Sequence, residues 1–146
     1  MPDRTITESD RTITELDEAE CLRLIAGGGI GRIAYYSRFG LVVLPVNYQW
    51  HSGAVVFRTA AHSALDEDLQ TGITGGDYQV AFEIDHIDEA GRQGWSVLIQ
   101  GPAHHVSEAE RESALEAGVE PWASGERELF VRIVPSRVTG RQITPV

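Results

Sequence analysis

The sequence predicts a mainly β (α+β) domain. Six or seven antiparallel strands close into a small barrel, with short helices at its periphery. Three observations carry this reading. Apolar residues recur with a period of two in short segments joined by turn-sized connections rich in glycine, aspartate and serine. The strand–helix–strand alternation that builds a parallel sheet is missing. With 146 residues, 42 % of them apolar, the chain suffices for one core that needs no disulfide or metal.

The elements follow in order. Residues 1–15 hold a doubled segment, Asp3–Glu8 and Asp10–Glu15, both reading DRTITE. Two copies are too few for a solenoid, and the segment is expected to be a solvated tail ahead of a domain over residues 16–146, or an arm on a partner subunit. Asp17 with Glu20 forms a capping box for a helix over 17–26, with Leu16 as its staple and Gly27–Gly29 as its stop. The period then changes to two. Strands are expected over 31–36, 41–50 and 54–59, turning at Arg38–Gly40 and His51–Gly53. The second of these begins with the apolar run Leu41–Leu44 and so is expected to be buried on both faces there. Pro45 inside it marks an edge, a bulge or a ligand-facing break, because proline donates no ladder bond. A short helix over 62–69, with Ser63 as N-cap, precedes a glycine-rich loop. Strands over 78–87 and 94–106 form a hairpin. Ser107 caps an acidic helix to about Ala117, and 129–134 with 138–143 read as two short strands or one strand broken at Pro135.

Charge narrows the function classes. Twenty-two acids face twelve bases, for a net charge of −10. All twelve bases are arginine, so Schiff-base lysines, lysine general bases and phosphate-loop lysines are excluded. A chain this acidic suits neither nucleic acid nor an anionic membrane as a partner. No apolar run is long enough for a membrane-spanning helix, and the N-terminus has no signal-peptide core, so the expected compartment is the cytoplasm. The single cysteine, Cys21, excludes an intrachain disulfide.

Several motifs fail on context. Gly29-Ile-Gly31-Arg-Ile-Ala34 matches a dinucleotide fingerprint, but a helix precedes it and a strand follows, the reverse of what that fingerprint requires. Gly94-Trp-Ser96-Val-Leu98 lacks the last glycine of a nucleophile elbow. His104 and His105 are adjacent, so a strand points them to opposite faces, and no histidine spacing suits a metal. One local arrangement stands out. Arg58-Thr59 ends a strand, and His62-Ser63 opens a helix within four residues. A guanidinium and a helix N-terminus together make an anion site. The same residues also read as a strand-end arginine and an ordinary N-cap.

In sequence order, Glu20–Leu24, Gly29–Ala34, Leu44-Pro-Val-Asn-Tyr48, Val56-Phe-Arg-Thr59, Val80–Asp85, Gly94-Trp-Ser-Val97, Val131–Pro135 and Thr139-Gly-Arg141 resemble the pyridoxamine 5′-phosphate oxidase-like, flavin-binding split-barrel superfamily, in particular its small actinobacterial members. The resemblance spans about residues 16–144. It implies a split β-barrel homodimer with FMN bound at the subunit interface, acting as an oxidoreductase on a small organic substrate. A deazaflavin coenzyme on the same fold, or a non-catalytic module binding flavin or haem, are the alternatives it leaves. Carried over by position, Pro45, Val46, Asn47 and Tyr48 would run beside the flavin ring. Arg58 and Thr59 would reach the ribityl chain and phosphate, with Ser63 at the helix N-terminus and His62 beside it. Trp95, and Arg132 or Arg141, would come from the partner subunit. Relatives commonly carry a lysine after the phosphate-turn serine, where this chain has Ala64. Its absence leaves Arg58 and the helix terminus to hold the phosphate.

Overall fold

The computed structural model describes residues 11–59, 78–106 and 129–145. Within them lie eight strands and one helix: β1 (Arg11–Leu16), α1 (Glu18–Ile25), β2 (Gly29–Ser37), β3 (Gly40–His51), β4 (Ala54–Thr59), β5 (Tyr78–Asp88), β6 (Gln93–His105), β7 (Leu129–Ile133) and β8 (Arg137–Pro145). The helices expected over 62–69 and after Ser107 lie outside the described residues.

The helix starts where the sequence places it. The Asp17 side chain accepts a hydrogen bond from the Glu20 N–H at 2.8 Å. The other half of the capping box is not made, because the Glu20 carboxylate instead accepts from Arg23 Nε at 2.9 Å. Gly28, at φ +77°, turns the chain out of the helix and into β2. Cys21 and Ile25 are fully buried, and Leu16 packs beside them. The Tyr48 hydroxyl donates to the Ile25 carbonyl at 2.9 Å, tying the helix end to β3.

All pairings are antiparallel, and the sheet runs β1-β8-β6-β5-β2-β3-β4-β7. A further ladder joins β6 to β7, so β6, β5, β2, β3, β4 and β7 form a closed ring of six, with β8 and β1 added outside it. The expected barrel is therefore present, closed by six strands, and the described residues hold one strand more than the seven the sequence suggests. The extra strand is β1. The second DRTITE copy, expected in a solvated tail, instead pairs with β8 from Arg11↔Pro145 to Leu16↔Gly140. Thr-Ile-Thr alternation is ordinary strand chemistry, and Leu16 anchors its end on the core.

Side chains of one parity fill the barrel. Ile33, Tyr48, Val55, Phe57, Phe82, Val97, Ile99, Val131 and Ile133 are essentially inaccessible. Phe82 sits at their centre, edge-on to Tyr48 at 5.4 Å and stacked on Phe57 at 6.1 Å between ring centroids. A smaller buried cluster, Val56 and Phe130 with Val106 against it, lies on the opposite face of β4 and β7.

Two expectations about β3 are settled here. Its opening is exposed rather than buried on both faces: Leu41 is 76 % exposed and Val43 61 %. Pro45 sits where β3 has β2 on one side and, among the described residues, no strand on the other, which is the edge reading of that proline.

The ring closes at a corner of β6. Residues 94–100 pair with β8 and residues 103–105 with β7. Between them the Ser136 N–H donates to the Gln100 carbonyl at 2.8 Å, and the Val134 N–H to the Pro102 carbonyl at 3.2 Å. A Cβ on Gly101 would overlap the Val134 carbonyl oxygen, a backbone atom that cannot step aside. Gly101→Ala is therefore expected to destabilise the fold by about 1–3 kcal/mol, read as a lower midpoint in urea unfolding.

Candidate functional site

The ladder between β3 and β4 runs from His51↔Ala54 to Tyr48↔Phe57 and ends there. One step further, Asn47 would stand opposite Arg58. Instead β4 continues on β7, through Arg58↔Phe130 and Thr59↔Leu129, while β3 stays with β2. Among the described residues, the side of β3 at Pro45–Asn47 that faces away from β2 meets no strand, and the end of β4 pairs with β7 alone.

Arg58 faces outward, and its guanidinium lies over the Phe130 ring at 5.2 Å from the centroid. Arg132 faces the same way, because Val56↔Arg132 lies two positions along the ladder from Arg58↔Phe130. It donates to the Ser52 carbonyl at 2.9 Å. Two cations therefore share the outward face of β4 and β7, on which Val56 and Phe130 are already buried. Guanidinium groups so placed suit an anion.

The expected site residues divide into groups. Pro45, Val46 and Asn47 pair with β2 on one side and, among the described residues, with no strand on the other. Tyr48 is adjacent, but its ring is buried in the core, burial pushes its hydroxyl up to about 12, and its backbone lies between β2 and β4 at the last step of the ladder. Arg58 alternates outward and leans over Phe130 of β7, whereas Thr59 alternates to the core side and is 5 % exposed. His62 and Ser63 lie outside the described residues. Arg132, expected to reach the site from a partner, lies beside Arg58 of the same chain. Trp95 and Arg141 are brought together elsewhere, in a cleft of about 390 Å³ at the β5–β6 turn that Ile87, Arg92, Ser96 and Ile143 also line.

The sequence reading missed a charged cluster on the outer face. Arg32, Glu83 and Asp85 lie across β2 and β5, with Arg32 Nη1 3.4 Å from Glu83 and 3.5 Å from Asp85. The alternation Phe82-Glu83-Ile84-Asp85 was the available signal, since it puts both carboxylates on one face opposite the core. Burial, and the hydrogen bond and charge of Asp85, push the Glu83 carboxyl up to about 7, with Arg32 pulling the other way.

Comparison with known proteins agrees with this architecture. The sequence signature described as pyridoxamine 5′-phosphate oxidase matches residues 17–142. An uncharacterised protein of Mycobacterium tuberculosis is 31 % identical over 140 residues, covering 96 % of this chain and 91 % of that one. The solved FAD-binding protein of Mycobacterium smegmatis is 31 % identical, with TM-score 0.75, over 90 % of this chain and 98 % of its own. A FAD-binding protein of Mesorhizobium loti shares the fold at TM-score 0.72 and 19 % identity, over 92 % and 98 % of the two chains.

The Glu83 geometry has a consequence for stability. A carboxyl with a raised pKa binds more protons in the folded chain than in the unfolded one between about pH 4.5 and 7. Stability contributed by this group is present below that window and is lost as pH rises through it. Glu83→Gln is expected to remove that loss. Its melting temperature relative to the native chain should rise between about pH 5 and pH 8, with a steady offset marking Glu83 as electrostatically neutral.

Proposed function

We propose that this chain, which belongs to the pyridoxamine 5′-phosphate oxidase family, binds a flavin beside β3 and β4 and works as a flavin-dependent oxidoreductase on a small organic substrate. The observation that carries the reading is the pair of arginines on the outward face of β4 and β7, next to a stretch of β3 that, among the described residues, has no strand on one side. Arg58 and Arg132 supply positive charge to a phosphate. The open side of β3 at Pro45–Asn47 offers its backbone to the polar edge of a ring, with one donor removed at Pro45. When bound, the flavin supplies hydride or electron transfer, so the chain itself needs no acid–base pair. Its own residues bind, orient and shield. FMN is the cofactor proposed, and the cytoplasm the compartment. FAD is the second reading, favoured by the name of the Mycobacterium smegmatis relative.

The working unit proposed is a homodimer. Tyr36, Phe39, Leu41 and Val43 on β2, β3 and their turn are 61–86 % exposed, an apolar surface of the kind that marks a protein contact. A second copy seated there would bring another chain against the outer side of β3, beside the proposed flavin site.

Two measurements test the reading. Arg58→Ala should weaken flavin binding at least tenfold, consistent with about 1.5–3 kcal/mol for a charge-assisted contact, read by quenching of FMN fluorescence on titration. The same titration with FAD and with a deazaflavin coenzyme ranks the cofactors. Unchanged affinity would place the phosphate elsewhere, and no binding of any of the three would end the flavin reading. In sedimentation, Leu41→Glu should convert a dimer to monomers, while a native monomer would refute the dimer.

A further inference from the structure

β1 is the end of the sheet, with β8 on one side and, among the described residues, no strand on the other. Residues 12–15 are all exposed, Ile13 at 63 %. Natural sheets blunt such an edge with a short strand, charged side chains and above all lysine, proline, a bulge or a cover. β1 uses neither proline nor lysine, and its register with β8 runs unbroken from Arg11 to Leu16.

The five residues 11–15 read RTITE, a sequence that complements itself when turned end for end. Laid antiparallel on a second copy with residue 13 against residue 13, residue 11 faces residue 15 twice, arginine against glutamate. Thr12 faces Thr14 twice, and Ile13 faces Ile13. Opposite charges, paired threonines and paired β-branched residues are the cross-strand pairs that stabilise antiparallel ladders, at about 0.2–1 kcal/mol each. Ile13 also ends a row that crosses the sheet through Ile143, Gly94 and Ile87. Ile143 is 37 % and Ile87 59 % exposed, so the row is an apolar stripe running to the open edge.

We propose that the β1 edge is a self-pairing surface, to which a second copy of this chain adds its own β1 in antiparallel register centred on Ile13. Both partners use the same five residues, so the contact is isologous and each β1 edge takes one partner chain. It is separate from the apolar surface on β2 and β3 and independent of flavin binding. Five residues a side make a small contact, so its role is to bring together units already held elsewhere.

The earlier DRTITE copy carries the same complement, with residue 4 against 15 and residue 8 against 11. To lie on its own chain's β1 it would have to turn at Ser9-Asp10. Two-residue hairpins favour turn types with positive φ, supplied by glycine, asparagine or aspartate, and Ser9-Asp10 has no glycine and no such residue at its first position. A second chain needs no turn, which favours it as the occupant.

The test is cysteine cross-linking in the full chain. Cys21 is fully buried and leaves the surface free of native thiols among the described residues. Directly opposed residues of an antiparallel pair have Cα atoms about 4.5–5.5 Å apart, within disulfide reach. Under mild oxidation Ile13→Cys should give a covalent dimer linked 13 to 13, identified by peptide mass spectrometry. Its yield should exceed that of Thr12→Cys or Thr14→Cys alone by roughly tenfold, because those positions do not face themselves. Mixing the Thr12→Cys and Thr14→Cys chains should restore linkage, now 12 to 14. Equal yields from all three single variants would mean random collision and overturn the proposal, as would no linkage at position 13. A link formed within one chain in the double variant Ile6→Cys/Ile13→Cys, without interchain linkage at 13, would identify the earlier copy as the occupant and equally overturn it.

Discussion

At Tyr48↔Phe57 the ladder between β3 and β4 stops, and from that point each strand answers to a different neighbour. A hydrogen-bonded pair of strands cannot part without leaving one side of at least one strand unpaired, and a buried unpaired backbone is costly. The chain resolves this by keeping the parted stretch of β3 at the surface, with Pro45 in it. Tyr48 holds the branch point in place. Its ring packs on Phe82 and its hydroxyl on the helix end at Ile25. The open side of β3 is therefore held by rigid elements, which is what a binding site requires.

The electrostatics of the molecule follow a similar division. The chain is strongly acidic, yet β4 and β7 carry Arg58 and Arg132 outward on one face. Across the barrel, Arg32 faces Glu83 and Asp85 and only partly offsets their mutual repulsion. A small anion approaching this protein meets positive potential at few places, and local guanidinium geometry rather than net charge decides where it settles.

Much of this was legible in the sequence, for physical reasons that differ by element. The period-two segments gave strands β2 to β8 to within about two residues, because alternation is what a barrel wall demands. Asp17 announced the helix because a cap is a local interaction. β1 was misread because its neighbour β8 lies more than a hundred residues away, and nothing local says that a polar Thr-Ile-Thr segment will find it. The run Leu41–Leu44 was misread for the opposite reason. Apolarity signals burial, but this surface is apolar and exposed within a single chain. Of the site, Arg58 was readable from its place at a strand end, and the exposure of Pro45 from its chemistry. Arg132 beside Arg58 was not readable, since that neighbourhood depends on β4 pairing with β7 across more than seventy residues.

The corner at Gly101 has a bearing on how the molecule is made. β6 must wait for both β7 and β8, the last two strands of the chain, before its ladders are complete. Until those strands are in place, β2–β6 form an open, curled sheet with the margins of β4 and β6 unclaimed, and it is the C-terminal strands that turn it into a vessel.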